Sequence, residues 1–524
     1  MDKIEFRNFR KFADFPCMDL GNITMFVGGN NAGKSTIAKA IMLLSDNIKS
    51  LRVVKDSKSL GFNPRFHFDT LDPQHNLNVS DFERALHRGS KTKEIMLSAT
   101  YNHCKIEFYI TCDAPDVSSQ GPTAPISKIV VENSIMNMVF TFDFISQKRI
   151  ITEFNVGVES SSSTESEITN TKLNEYKDKL TTTTDPIEAA SISAEIRKLE
   201  SLIKENATQS KTNYKRVEIP FPSPDEYIGE NLIIAMFHHI DKYPKLENKI
   251  TDKRTKEYKD IEADKQYIES QLGLISAFEV FVIGALQQDW GEMSIYYIPA
   301  HLASQDAIYS KKDNSFLSST IHQFYSSRIN KGEEEYDFIT YWMEQFGLGK
   351  DISISSVKGE AYTGDISTKD GMFPMADLGM GGIQVMTLLL RLATIMRDCK
   401  GRSFGPIIIL EEPELNMHPK WQSMLLDVFY DVYERTLNDK RTSGLKLIVE
   451  THSEYLVRSS QVKVAYDPSA KDVFKVYYFP KDGVPYDMEF TASGRFVNKF
   501  DSGFYDEAGG LNLQLIKKER GIDV

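Results

Sequence analysis

Gly28, Gly33, Lys34 and Ser35 stand at the spacing G-x-x-x-x-G-K-[ST], with Asn30, Asn31 and Thr36 in and beside the same turn. That spacing suits a phosphate chain. Glycines let successive backbone N–H groups curl around phosphate oxygens without a Cβ clash. A helix starting at this point adds the partial positive charge of its N-terminus. Lys34 has the length to reach β- and γ-phosphates, and the Ser35 hydroxyl offers a ligand for Mg²⁺. A glycine turn can precede any helix, so the flanks decide. Ile23, Met25, Phe26 and Val27 read as a buried strand entering the loop, and Ile37, Ala38, Ala40, Ile41 and Leu44 as the apolar face of a helix leaving it.

Hydrolysis needs more than a phosphate cradle. It needs a carboxylate for the metal and a group that orients water. Ile407–Leu410 is an apolar run that ends in Glu411, Glu412 and Pro413. Acids at the carboxyl end of a buried strand lie where α/β sheets bind ligands. Glu411 is expected to hold Mg²⁺ through water, and Glu412 to polarise the attacking water. A second apolar run, Leu445–Val449, leads into Glu450, Thr451, His452 and Ser453. His452 is expected to hydrogen-bond the γ-phosphate and report its presence. Gly379, Gly381 and Gly382 lie in the turn Asp377–Gln384, ahead of the apolar helix Val385–Leu392. A glycine turn opening a helix is again an anion-binding geometry, and its place shortly before the acidic strand gives it weight.

The elements that must position these groups divide the chain three ways. Residues 1–158 read as strands and turns around the phosphate loop, with Ile95–Tyr101 and Ile106–Thr111 as neighbouring strands. A polar linker at Glu159–Ser163 opens the segment 159–290. Within it Leu173, Tyr176 and Leu180, then Ile192, Ile196, Leu199 and Ile203, recur at helical spacing on either side of an Asp185-Pro186 helix start. Tyr258, Ile261, Ile268 and Leu272 mark a third helix. A helical insertion is expected here, its stripes packing on each other, on the body or on a partner. Residues 291–524 return to alternating strands and helices, beginning with a strand at Ser294–Ile298, which predicts a parallel sheet flanked by helices. The fold class expected is therefore α/β.

Composition narrows the class. At 524 residues, 41% hydrophobic and 26% charged, the chain is ordinary for a globular protein of more than one subdomain. The most apolar runs, Leu232–Phe237 and Phe278–Leu286, are core-sized and too short to span a bilayer. The start, Met1-Asp2-Lys3-Ile4-Glu5, has no apolar signal core. Cys17, Cys104, Cys112 and Cys399 lack metal-ligand spacing and read as free thiols of a cytoplasmic protein. A net charge of −12 argues against a surface that is basic throughout, while a local basic groove for nucleic acid stays open.

The four motifs in this order resemble the ABC-type ATPases, and within them the AAA_15 and OLD-like branch that also contains RecF- and SMC-like proteins. The phrases that carry the resemblance are Ile4–Arg10, Glu411–Pro419, Glu450–Leu456 and Gly503–Glu507. The resemblance implies an ATPase head with a P-loop parallel sheet plus antiparallel strands. It assigns Gly28, Gly33, Lys34 and Ser35 to Walker A, Glu411 and Glu412 to Walker B, Asp377–Gln384 to the signature, His418 to the D-loop and His452 to the switch. Glu411 replaces the usual aspartate, and the signature lacks its usual serine, with Met380 or Gly381 near that place. The Q-loop falls in no clear motif, and Asn78–Phe82 is the region to search.

The implied working state is a homodimer or higher homo-oligomer in which heads pair around ATP and Mg²⁺. Size and layout further resemble the ATPase subunit of the Septu and retron antiphage systems, which implies an HNH-type nuclease or toxin effector as partner. An OLD-type fusion to a Toprim nuclease needs an acidic domain after His452, where Asp501, Asp506 and Glu507 are too few and too terminal. An SMC arm needs longer coiled coils than these helices. A RecF-like repair role needs a basic groove that an overall pI of about 5.5 does not favour.

Overall fold

The computed structural model describes residues 1–52, 62–69, 79–101, 103–112, 121–133, 138–154, 214–221, 228–237, 294–302, 306–402, 405–438, 445–481, 483–501, 504–505 and 507–519. At its centre is a six-stranded sheet ordered Ile295–Ile298, Ile407–Glu411, Lys446–Thr451, Ile23–Gly28, Phe474–Phe479, Tyr486–Asp487. Every pairing is parallel except the last. Ile23–Gly28 comes from the start of the chain, yet lies between two strands from its end. It is buried at all six positions. Strands covered on both faces are expected to be apolar runs without alternation, and these are.

The pleat sends alternate residues to two cores. Phe26, Ile407, Ile409, Ile448 and Phe479 join one, while Met25, Val27, Ile408, Leu410, Leu447 and Val449 join the other. The first core is shared with the helix Lys34–Ser50 and with an antiparallel sheet. That sheet runs Tyr214–Pro220, Lys148–Phe154, Met138–Asp143, Thr123–Asn133, Cys104–Thr111, Glu94–Tyr101, Lys3–Phe9, Phe12–Asp19, with Arg65–His67 added on Thr123–Asn133. The strands expected around Ile95 and Ile106 are the neighbours Glu94–Tyr101 and Cys104–Thr111. The second core packs the helices Phe316–Ser327, Glu334–Gln345, Met380–Cys399, Pro419–Asn438 and Glu454–Tyr466.

Two features depart from the sequence reading. Tyr214–Pro220 is not part of a helical insertion: it pairs antiparallel with Lys148–Phe154 and extends the sheet of the first lobe. The helical stripes around Leu173, Ile196 and Ile261 lie outside the described residues, as does Asn78. The second is a small antiparallel sheet of Tyr309–Ser310, Ala361–Thr368, Asp351–Val357 and Gly371–Pro374. The run Asp351–Val357 carries mostly exposed polar residues, so its strand character comes from the backbone ladder to Ala361–Thr368 and left no apolar pattern to read.

Candidate nucleotide site

The phosphate loop leaves the central strand at Gly28 and closes at Gly33, whose φ of +105° is left-handed. A Cβ there would lie 2.6 Å from the Phe12 ring, so glycine is required by both backbone and space. Asn31 also takes a left-handed φ of +59°, and its carbonyl accepts from Lys11 Nζ at 3.0 Å. Asn30 is exposed and Thr36 buried at the helix start. Lys34, 3% exposed, folds back over the loop. Its Nζ donates to the carbonyls of Gly28 (2.9 Å) and Gly29 (3.0 Å) and to Nε2 of His452 (3.0 Å).

His452 follows the end of Lys446–Thr451, and Glu412 follows Ile407–Glu411 on the neighbouring strand. Burial first, and the Lys34 cation next, hold the His452 imidazole below its ordinary pKa. It is therefore neutral near pH 7, with Nε2 bare and accepting from Lys34. The 3.4 Å contact of Glu412 Oε1 with His452 Nε2 is accordingly not an ion pair. Glu412 sits at a φ of +42°, held by its N–H to the Glu450 carbonyl at 2.8 Å. A left-handed non-glycine residue is uncommon and costs of order 1–3 kcal/mol; here it aims the carboxylate at the switch histidine.

Glu411 accepts a hydrogen bond from the Tyr297 hydroxyl. Ser35 Oγ donates not to Glu411 but to Glu450 Oε1, at 2.9 Å. Burial, opposed by Lys34 and Ser35 and helped by Glu411 and Glu412, raises the Glu450 carboxyl to about 7. The sequence reading passed over Glu450. A carboxylate ending an apolar strand is the available signal, and it is applied there to Glu411 and Glu412 only. Glu414 was also missed. It is buried, and one of its oxygens accepts from Thr451 Oγ1 (2.7 Å), His452 N (2.7 Å) and Ser453 N (3.1 Å). That clamp fixes the turn that carries His452.

A cavity of about 730 Å³ opens over the loop. Arg10, Lys11, Lys34, Lys39, Arg84 and Arg88 line it, against Glu83 and Glu450. Burial first, and then the nearby Arg10, push the Lys39 pKa down, and the cationic side chains of the lining outnumber its acids. A polyphosphate supplies the missing charge, so the lining fits ATP. Among the described residues no three His, Cys, Asp or Glu side chains gather as a metal cage. Mg²⁺ does not need one: it is usually bound by one or two carboxylates together with substrate phosphates, and Ser35 and Glu411 are hard oxygen donors of that kind.

The signature turn is elsewhere. Gly379, Gly381 and Gly382 do not line the cavity of their own chain. Gly379 is the exposed N-cap of the helix Met380–Cys399 and supplies no side-chain cap. A Cβ on Gly381 would lie 2.6 Å from the Asn416 carbonyl, in the turn before His418. Gly382 is buried against Leu348 and Leu378. Gln384 is buried and committed to Ala300 O and Leu302 N, so it faces inward rather than toward a nucleotide.

A parallel sheet that carries a glycine loop, a lysine, two acids and a histidine at its carboxyl ends, joined to an antiparallel lobe, is the arrangement expected of an ATPase domain. The AAA_15 family, described as an AAA ATPase domain, matches residues 1–457, and the chain belongs to that family. Over 150 residues it is 25% identical to the endonuclease GajA of Bacillus cereus (strain HuB5-5). That match covers 28% of this chain and spans only 22% of the relative. Among solved structures it is similar to the Smc head domain with an extended coiled coil from Pyrococcus furiosus, there bound to the C-terminal domain of ScpA. The identity is 10%, the TM-score 0.31, and the match covers 98% of this chain and 99% of that one. It is also similar to the SMC head domain from Thermotoga maritima, at 8% identity and a TM-score of 0.31, over 94% and 98% of the two chains. No described helix is long and apolar enough to cross a membrane.

Proposed function

We propose that this chain is a regulatory ATPase that binds and hydrolyses Mg²⁺·ATP, pairs its heads around the nucleotide, and controls a separate nuclease or toxin effector in a bacterial antiphage system. The observation that carries the ATPase reading is the convergence of Lys34, Ser35, Glu411, Glu412 and His452, from three adjacent parallel strands, beside one basic cavity. Lys34 and the loop N–H groups would hold the phosphates, and Ser35 and Glu411 the metal. When bound, Mg²⁺ would neutralise charge developing on the phosphate oxygens. Glu412 would orient a water and take its proton, and neutral His452 can donate or accept only through a defined tautomer. Because the signature turn does not line the cavity of its own chain and is exposed at Gly379, head pairing is the arrangement that would let it reach a nucleotide.

The effector part rests on the Septu- and retron-like layout and on the partial likeness to an endonuclease. That likeness also supports a second reading, an ATPase that acts with a nuclease on the same chain, as in the OLD type. Asp501 accepts from Tyr478 at 3.2 Å within an aromatic cluster, and Asp506 lies outside the described residues.

Glu412→Gln tests the core of the proposal. It should retain ATP binding, lose turnover and accumulate ATP-dependent dimers by light scattering. Hydrolysis at the wild-type rate would remove Glu412 from its role. Phage plating on cells carrying this gene with its neighbours, with and without Lys34→Ala, tests the defence role. Metal-dependent DNA cleavage by the isolated chain would favour the second reading.

A further inference from the structure

We infer that Glu450 is a second carboxylate of the magnesium site, holding the Ser35 hydroxyl and the metal's water shell from the strand next to Glu411. This rests on the ATPase reading above. A serine hydroxyl that gives its lone pair to a cation still has a proton to donate, and an adjacent carboxylate is the natural acceptor. In this chain the acceptor is Glu450, at 2.9 Å from Ser35 Oγ. Glu411, the acid that the strand pattern marks for the metal, has a carboxylate oxygen engaged by Tyr297.

The sheet explains the placement. Glu411 and Glu450 are register partners on adjacent parallel strands. Neighbouring strands lie about 4.8 Å apart, and paired residues point to the same face. Glu450 in turn pairs with Phe26 on the strand that runs into the phosphate loop, which brings its carboxylate under Ser35. It is 7% exposed and lines the basic cavity together with Lys34 and Ser35. A buried carboxylate facing two further acids is unfavourable unless a cation repays its lost hydration. Lys34 offsets part of that charge, but its Nζ bonds two loop carbonyls and His452 and makes no bond to Glu450. Ser35, Glu411 and Glu450 are hard oxygen donors, and a divalent cation that they held would supply the missing charge.

The test separates metal binding from nucleotide binding. Mn²⁺ affinity is measured by electron paramagnetic resonance in the presence of ATP, and ATP affinity by fluorescent-nucleotide titration in EDTA. Wild type, Glu450→Gln and Glu411→Gln are compared, and thermal melting verifies that each is folded. Glu450→Gln keeps the size of the side chain and an acceptor for Ser35, so it is the variant expected to fold. The inference predicts a loss of about 10–100-fold in Mn²⁺ affinity for Glu450→Gln, with EDTA-ATP affinity within about twofold of wild type. It is overturned if Mn²⁺ affinity is unchanged in Glu450→Gln while Glu411→Gln loses it. It is equally overturned if Glu450→Gln weakens ATP as much in EDTA as in metal, which makes Glu450 a pocket residue only. Wild-type protein that binds no ATP with or without metal would instead sink the ATPase reading itself.

Discussion

Gly379→Asp separates two consequences of one side chain. Gly379 is the N-cap of Met380–Cys399, with φ −59° and ψ 158°, a conformation open to any residue. A Cβ added there meets nothing within 4 Å. The helix begins without a side-chain cap, so the N–H groups of Gly381 and Gly382 lack the acceptor that an N-cap aspartate provides. Replacing Gly by Asp at such a cap is worth a few tenths of a kcal/mol, and the helix dipole adds about 0.3–1 kcal/mol. The isolated head should therefore melt at the same temperature or slightly higher. Head pairing should suffer. A carboxylate about 4 Å from a phosphate charge costs about 4 kcal/mol at an effective dielectric near 20, roughly a thousandfold in dimer affinity. It also occupies the N–H groups that a phosphate would use. The assay combines thermal melting with light scattering in a Glu412→Gln background with ATP. A normal melt with dimers undiminished would show that the turn does not face nucleotide, and a large drop in melting temperature would refute the capping argument. Gly381→Asp is the poorer probe, because its side chain would strike the Asn416 carbonyl.

Lys34→Ala should weaken ATP binding by about 10–100-fold, the worth of the charge-assisted bonds it removes, read by nucleotide titration; unchanged affinity would show that the folded-back lysine never serves phosphate. Glu414→Ala leaves the Thr451 hydroxyl and His452 N–H without their buried acceptor, while Ser453 N–H keeps Thr451 Oγ1; this should cost about 2–4 kcal/mol in denaturant unfolding and release the turn that carries His452. Stability within 0.5 kcal/mol of wild type, on the scale of a neutral surface change, would refute that clamp. The raised carboxyl of Glu450 means that the native head keeps a proton that the unfolded chain releases between its ordinary value of 4.5 and about 7. The Glu450 contribution to nucleotide-free stability should therefore fall as pH rises through that window, and Glu450→Gln should remove that contribution. His452 works in the opposite sense: its lowered pKa costs stability as pH falls below 6.5, so acid sensitivity should survive in Glu450→Gln. Profiles of wild type and Glu450→Gln that run parallel from pH 4.5 to 7 would contradict the Glu450 assignment.

The phosphate loop, the acidic strand and the switch strand were legible because each is a local pattern. An apolar run fixes a buried strand, and the residues just past its end face the ligand side of the sheet. Glycine at position 33 is dictated by a backbone angle and by the Phe12 ring packed against it. The helical reading of 159–290 failed at Tyr214–Pro220, because a strand completed by a partner far from it in sequence shows only weak local periodicity. The small sheet around Asp351–Val357 was missed for a different reason: its partner Ala361–Thr368 follows directly in the chain, but its mostly exposed residues leave little apolar pattern.

What the sequence by itself determined is therefore the set of chemical groups: a glycine loop with lysine and serine, acids after one buried strand, and histidine after another. Only the tertiary structure decided which of them meet. Ser35 bonds Glu450 across 415 positions and Lys34 bonds His452 across 418, because Ile23–Gly28 is inserted between strands from the far end of the chain. Strand order is set by how the two cores close over both faces of the sheet, a property of all the apolar residues together. No short motif encodes it, and so Glu450, rather than Glu411, is the acid that holds the Ser35 hydroxyl.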